Sequence, residues 1–123
     1  MRVRKAIIPV AGFATRWLPA SKSVPKVMLP VLDTPIVHFT VKEAVEAGIE
    51  QIVFIISQGQ GAIRAYFHKM PALEKFLEQR EATTHLERIL DIPTMYEDKY
   101  VMQDKQMGLG HAVLMAKEAV GNE

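Results

Sequence analysis

The sequence contains no cysteine among its 123 residues, which excludes disulfide staples and thiolate metal sites. It also lacks an excess of either charge, since its net charge is +1, and this excludes a supercharged nucleic-acid binder. No apolar run approaches the roughly 20 residues that a membrane helix needs. The stretch from Ala6 to Val10 is too short for the apolar core of a signal peptide. We therefore expect one small cytoplasmic domain that binds neither nucleic acid nor a membrane.

Acidic residues are absent from the first 32 positions, although the chain has 14 of them in all. A basic segment without carboxylates is a candidate anion site, and the alternative is a solubilising face. We favour the solubilising face for Arg2, Arg4 and Lys5. The other three cations lie among glycine, proline and small residues, which favours a binding role for Arg16, Lys22 and Lys26.

Short apolar segments alternate with amphipathic ones along the chain. Strands are predicted over residues 5–10, 51–57 and 99–103, and the second (QIVFIIS) is apolar on both faces, as in a central parallel strand. A helix is predicted to start at Pro35, capped by Asp33 or Thr34, and to end at Gly48. Further helices follow the second and third strands. The alternation predicts an α/β fold with a mainly parallel sheet and right-handed crossovers.

Two long segments carry the candidate chemistry, and the first follows the first strand. Residues 11–30 form a loop of about 20 residues, longer than most connections, and such loops are usually functional or disordered. Its beginning, Ala11-Gly12-Phe13-Ala14-Thr15-Arg16, is neither a dinucleotide-binding fingerprint nor a P-loop. Backbone N–H groups of such a small-residue loop can approach phosphate oxygens. The prolines that follow stiffen the loop, which makes Arg16 and Lys26 a preorganised clamp for a polyanion.

The motifs resemble those of a known family. The run from Gly12 to Pro30 is similar to G-x-G-T-R-x-L-P-x-[ST]-K-x-x-P-K-x-M-L-P, the signature of the sugar-1-phosphate nucleotidyltransferases. The Met-Leu-Pro form most resembles the bacterial enzymes that act on UTP and glucose 1-phosphate. The run from Gln103 to Ala112 is similar to the family's Q-x-x-P-x-G-L-G-H-A. The resemblance implies a Rossmann-like nucleotidyltransferase fold with helices on both faces of the sheet.

The resemblance also implies a role for each candidate residue. Catalytic roles fall to Arg16, at the β- and γ-phosphates, and to Lys26, between the α-phosphate and the sugar phosphate. Gln103 and Gly108 would read the uracil, a role that suits a carboxamide and a glycine that lets the base approach the backbone. The remaining nucleotide-binding residues would be Ala11, Gly12, Phe13, Ala14 and Thr15. Mg²⁺ is implied as the cofactor, and UTP and glucose 1-phosphate as the substrates.

Departures from the family pattern leave alternatives open. Ala14 replaces a loop glycine, Val27 a glutamate and Gln106 a proline. The family's metal-binding aspartate and sugar-binding residues are expected beyond residue 123. We therefore expect residues 1–123 to be the N-terminal, nucleotide-binding part of one domain, with no metal ligand and no activity by itself. A degenerate nucleotide-binding module, a scaffold, or an enzyme for another sugar 1-phosphate are the alternatives.

Two expectations concern the rest of the molecule. The outer edge of the first strand is apolar and predicted to lack a partner strand, so we expect a homo-oligomer. The four histidines have no metal-ligand spacing. His111, near a helix start, could face the nucleotide, but we favour a packed or surface position. Trp17 is interpreted as shielding the underside of the loop rather than stacking on a base.

Overall fold

The computed structural model describes residues 2–10, 15–57, 61–93, 96–103 and 108–121. Its main sheet has three parallel strands, β1 (Lys5–Pro9), β4 (Gln51–Ile56) and β5 (Glu97–Met102), with β4 in the middle. All three predicted strands are thus confirmed, with the third beginning two residues earlier than expected. Two short strands, β2 (Pro30–Val31) and β3 (Thr34–Pro35), form a separate antiparallel pair.

Six helices lie within the described residues, and all follow the predicted alternation with strands. A single helix, α1, connects β1 to β4 after the long loop, and three helices connect β4 to β5. Two more follow β5. Their bounds are α1 (Ile36–Glu46), α2 (Gly61–Phe67), α3 (Pro71–Gln79), α4 (Thr83–Leu90), α5 (Gly108–Met115) and α6 (Lys117–Val120).

The two faces of the sheet are covered by different helices. On one face, α1 and α2 pack their buried residues, among them Val41 and Ile63, against Ile52 and Phe54 of β4. On the other face, Ala116, between α5 and α6, packs against Val53 and Ile55. Alternate residues of β4 therefore point into two separate cores, which explains why this strand is apolar throughout. The predicted layering, with helices on both faces, is confirmed.

Aromatic rings and one polar pair fill the core beneath α1 and α2. The Phe54 ring stacks on Phe67 and Tyr100, with centroids 5.9 and 5.3 Å apart. The Tyr66 hydroxyl and Nδ1 of His38 share a hydrogen bond of 2.7 Å. Burial lowers the pKa of His38, which favours the neutral imidazole. His38 thus serves packing between α1 and α2.

The predicted start of α1 is wrong by one residue, and its cap is wrong. The helix begins at Ile36, Pro35 is its N-cap, and no side chain caps it. Thr34 and Pro35 instead extend as β3 and pair with β2 across a turn in which Leu32 has a φ of 60°. The Asp33 carboxylate is occupied by the Arg88 guanidinium and the Thr34 hydroxyl. A tertiary contact therefore removes Asp33 from the helix terminus.

The N-terminal cations tie the first strand to the rest of the chain. Lys5 is half-buried, and its Nζ donates to the carbonyl of Val120 at 2.9 Å, so the interpretation of Lys5 as part of a solubilising face is wrong. Arg2 is exposed as expected, but it donates to the Gly48 carbonyl at 3.3 Å and pairs with Glu50 at 3.4 Å. These cations therefore brace the amino end of the sheet.

Candidate active site at the carboxyl ends of the strands

The carboxyl end of β4 holds the beginnings of two loops that the sequence singled out. The N–H of Val10, the first residue after β1, donates to Ile55 at 2.9 Å, and the N–H of Gln103, the first residue after β5, donates to Ile56 at 2.7 Å. β1 and β5 flank β4, so these two loop starts lie two strand spacings apart, roughly 10 Å. Ligands of open α/β sheets bind outside the carboxyl ends of the strands, and this edge is such a place.

Gln103 is a buried polar residue at this edge, with only 3% of its surface exposed. Its Nε2 donates to Nδ1 of His111 at 3.0 Å. His111 lies in the first turn of α5 and is half-buried. The expectation of a packed or surface position rather than one facing the nucleotide stays a prediction, and the partner of His111 is the candidate base-reading side chain itself, which the sequence did not indicate.

From Thr15 onward, the loop after β1 is built from short turns. Three 3-10 turns follow one another, over Thr15–Trp17, Ala20–Lys22 and Lys26–Met28. In the third, the N–H of Leu29 donates to the Lys26 carbonyl at 3.0 Å. The N–H of Ile36 then donates to Leu29 at 3.1 Å, which joins the turn to the start of α1. The backbone at Lys26 is therefore fixed before any ligand binds.

Val27 and Met28 anchor this turn. Both are half-buried and pack against the core on the α1 side of the sheet. Val27 stands where the family pattern has glutamate, and the structure gives it a packing role. Its apolar side chain thus contributes to the contact under the loop.

The two candidate clamp cations are both exposed on this anchored loop. Arg16 lies in the turn next to Trp17, and the Lys26 ammonium lies 5.7 Å from the centre of the Trp17 ring. A cation within about 6 Å of an indole face is attracted by the ring quadrupole. Trp17 is itself 45% exposed, so much of its surface does not shield the underside of the loop. Its ring lies beside the Lys26 ammonium instead. The aromatic residue was noted in the sequence, but its contact with Lys26 was missed.

A family model described as nucleotidyl transferase matches residues 5–123. The chain belongs to this family. It is 43% identical over 122 residues to the UTP–glucose-1-phosphate uridylyltransferase of Bacillus subtilis strain 168, and 42% identical over 123 residues to UTP–glucose-1-phosphate uridylyltransferase 1 of Staphylococcus saprophyticus. The alignments cover 99% and 100% of this chain but only 42% and 43% of those relatives. The resemblance drawn from the motifs is confirmed.

The fold is also that of a solved member of the nucleotidyl transferase family. A UTP-bound UGPase from Acinetobacter baumannii superposes with a TM-score of 0.93 at 45% identity. The match covers 99% of this chain and 43% of the other. The expected Rossmann-like nucleotidyltransferase fold is therefore confirmed over the part that the two chains share.

The predicted site residues divide into those that the structure places and those outside its described part. Ala11, Gly12, Phe13 and Ala14 lie outside the described residues, so their phosphate-binding role stays a prediction. Thr15 begins the first 3-10 turn, and Gly108 is the first residue of α5. The roles assigned to Arg16, Lys26, Gln103 and Gly108 also stay predictions.

Among the described residues, no group of three or more histidine or carboxylate side chains could hold a metal ion. Because Mg²⁺ is usually held by only one or two carboxylates together with substrate phosphates, the Mg²⁺ that the family implies stays a prediction. In the same part of the chain, no helix is long and apolar enough to cross a membrane.

Proposed function

We propose that this chain provides the nucleotide-binding part of a UTP–glucose-1-phosphate uridylyltransferase, which makes UDP-glucose and pyrophosphate. An oxygen of the sugar phosphate attacks the α-phosphorus of UTP in line, and the bond from that phosphorus to the pyrophosphate oxygen breaks. The proposal is supported by the 43% identity to a relative of that name over nearly the whole chain. Because the chain spans about 42% of that relative, activity, substrates and partners are all part of the proposal.

The observation that carries this proposal is the buried carboxamide of Gln103 at the carboxyl edge of the sheet. A carboxamide presents a donor and an acceptor side by side, which is the pattern needed at the edge of a base. Burial makes the contact selective, because a wrong base leaves a desolvated polar group without a partner. We assign Gln103 and Gly108 to the uracil.

The phosphates would lie at the other loop, two strand spacings from Gln103. Backbone N–H groups of residues 11–15 would approach the phosphate oxygens, and Arg16 would neutralise the β- and γ-phosphates as charge builds on the leaving group. Lys26, on its anchored turn, would bridge the α-phosphate and the incoming sugar phosphate. Positioning and charge neutralisation do most of the work in phosphoryl transfer. Mg²⁺, which the family implies, would further neutralise the phosphate charge, and its protein ligands would lie outside the described residues.

The test of the base assignment is the variant Gln103→Ala, measured by titration calorimetry with UTP, CTP and ATP. We expect the preference for UTP to fall while the shared affinity for the triphosphate remains. Gln51→Ala is a matched control, because Gln51 is also a buried glutamine of this sheet, at 7% exposure, but lies at the amino end of β4. An unchanged ranking of the three nucleotides in Gln103→Ala would show that the assignment is wrong.

The activity is tested by steady-state pyrophosphate release with UTP, glucose 1-phosphate and magnesium. We expect turnover by the gene product that contains this chain, and UTP binding without turnover by residues 1–123. Binding without turnover in both would identify a degenerate nucleotide-binding module, and no binding in either would identify a scaffold. Turnover by residues 1–123 alone would contradict their assignment as only the nucleotide-binding part.

Two further proposals concern assembly and location. Among the described strands β1 pairs only with β4, and we propose that residues 1–123 form a homo-oligomer through the other edge of β1. Light scattering after size-exclusion chromatography tests this, and a monomer at all concentrations would contradict it. We also propose that the protein is cytoplasmic.

A further inference from the structure

The hydrogen bond between Gln103 and His111 fixes which way the Gln103 carboxamide faces. Nε2 of Gln103 can only donate, so the Nδ1 of His111 that accepts from it at 3.0 Å carries no proton. The imidazole is then the neutral tautomer with its proton on Nε2. Both partners are at least half-buried, so water competes little for the bond.

This orientation determines what the carboxamide offers to a ligand. The oxygen and the nitrogen lie on opposite sides of the amide carbon, and the nitrogen side is held by His111. Oε1 therefore stands on the side away from His111, where it can accept a hydrogen bond, and Nε2 keeps one further N–H to donate. Reversing the carboxamide would exchange the acceptor and the donor in space without changing its shape.

Uracil and cytosine differ in the positions of the hydrogen-bond donor and acceptor on the edge of the base. Uracil has an N–H donor at position 3 and an oxygen acceptor at position 4. Cytosine has a bare nitrogen acceptor at position 3 and an amino donor at position 4. A carboxamide whose oxygen meets position 3 suits uracil, and the reversed carboxamide suits cytosine.

We propose that His111 is a positioning residue that locks the Gln103 carboxamide in the orientation that selects uracil over cytosine. This inference rests on the proposed function, because it takes Gln103 as the residue that reads the base. His111 acts through Gln103 and contacts no reacting atom.

The experiment compares three substitutions by the ratio of UTP affinity to CTP affinity. His111→Asp offers only acceptors to the Gln103 N–H and should retain the preference for UTP. His111→Lys offers only donors, so it should attract Oε1, reverse the carboxamide and lower the ratio about tenfold. His111→Ala removes the lock and should give an intermediate ratio. Titration calorimetry on residues 1–123 supplies the affinities, and circular dichroism confirms that each variant is folded.

The possible outcomes separate this inference from the function on which it rests. If wild type prefers UTP and His111→Lys loses affinity for UTP and CTP equally, His111 is merely structural and the inference is wrong. If wild type binds no UTP, the proposed function fails and the inference fails with it. A second measurement needs no ligand: ¹⁵N spectra of the imidazole should show a bare Nδ1 in His111. A proton on Nδ1 in the neutral imidazole would overturn the inference even if UTP binds.

Discussion

Replacing Trp17 should weaken UTP binding although Trp17 is not assigned to any atom of UTP. Its ring lies 5.7 Å from the Lys26 ammonium and is 45% exposed. A cation–π contact at such an exposed site contributes about 0.5–1 kcal/mol. Without the ring, the long Lys26 side chain must be ordered when the phosphate binds, so Trp17→Ala should raise the Kd for UTP about two- to fivefold.

The same reasoning predicts graded Kd values for UTP among the Trp17 variants, and effects of Trp17 and Lys26 substitutions that do not add. Trp17→Phe should fall between wild type and Trp17→Ala, because indole is the better cation–π partner. Lys26→Ala removes the charge itself and should raise the Kd about tenfold or more. In the Lys26→Ala background, Trp17→Ala should have little additional effect, because the ring then has no cation to hold.

Titration calorimetry with UTP measures each of these constants. The matched control is Phe76→Ala on α3, because Phe76 is also half-exposed and has the Arg80 guanidinium 5.0 Å from its ring centre, but belongs to neither candidate loop. This control should leave UTP affinity unchanged. Tighter UTP binding by Trp17→Ala would mean that the ring competes with the phosphate for Lys26, and full additivity would mean that the two residues act separately. Either result would refute the reasoning.

Two other perturbations test the clamp and the stability of the sheet. In the proposed uridylyltransferase, Arg16→Ala should lower kcat on the order of 10²–10³-fold, more than it weakens UTP binding, because pyrophosphate charge grows in the transition state. Steady-state pyrophosphate release measures kcat, and Lys75→Ala, at an exposed lysine, is the control. A kcat of Arg16→Ala within about threefold of wild type would show that Arg16 is structural, since exposed ion pairs contribute only about 1 kcal/mol. Burial opposes ionisation of Asp98 in β5, but the hydrogen bond between its carboxylate and His68 Nε2, at 2.6 Å, helps to outweigh this effect, and the pKa of Asp98 is lowered. The ionised Asp98 therefore stabilises the folded state above about pH 4, and this stabilisation is lost as the pH falls through the folded-state pKa. Asp98→Asn should remove about 1 kcal/mol or less of this pH-dependent stability in urea unfolding, and an unchanged pH profile would contradict the assignment.

The sequence predicted the elements whose formation depends on local pattern. Residues 51–57 are apolar on both faces, and this property follows directly from a strand that lies between two helical layers. The helices were predicted because apolar spacing and glycine stops are also local signals. The start of α1 was not, because Asp33 is drawn to Arg88 of α4 and Thr34 pairs with Val31. Neither contact can be predicted from the sequence around residue 35.

The candidate site shows the same division between local and tertiary information. Lys26 and Gln103 were identified from motifs, and the structure adds their partners, Trp17 and His111. Each partner is within ten residues of the side chain that it contacts, yet the turns between them decide whether the pairs meet. A histidine in the first turn of a helix that follows a buried glutamine is a signal that could have indicated the second pair.

The central strand explains how two distant motifs can form one site. β4 carries none of the proposed site residues, but its last two carbonyls accept the N–H groups of Val10 and Gln103. The spacing between the starts of the proposed phosphate-binding loop and of the segment that begins at Gln103 is therefore set by strand geometry and not by the loops themselves. Substitutions inside β4 should consequently act on nucleotide binding through the stability of the sheet. Substitutions beyond the ends of β1 and β5 can change affinity and base preference while the sheet stays intact, so the specificity of this fold can vary without disturbing its core.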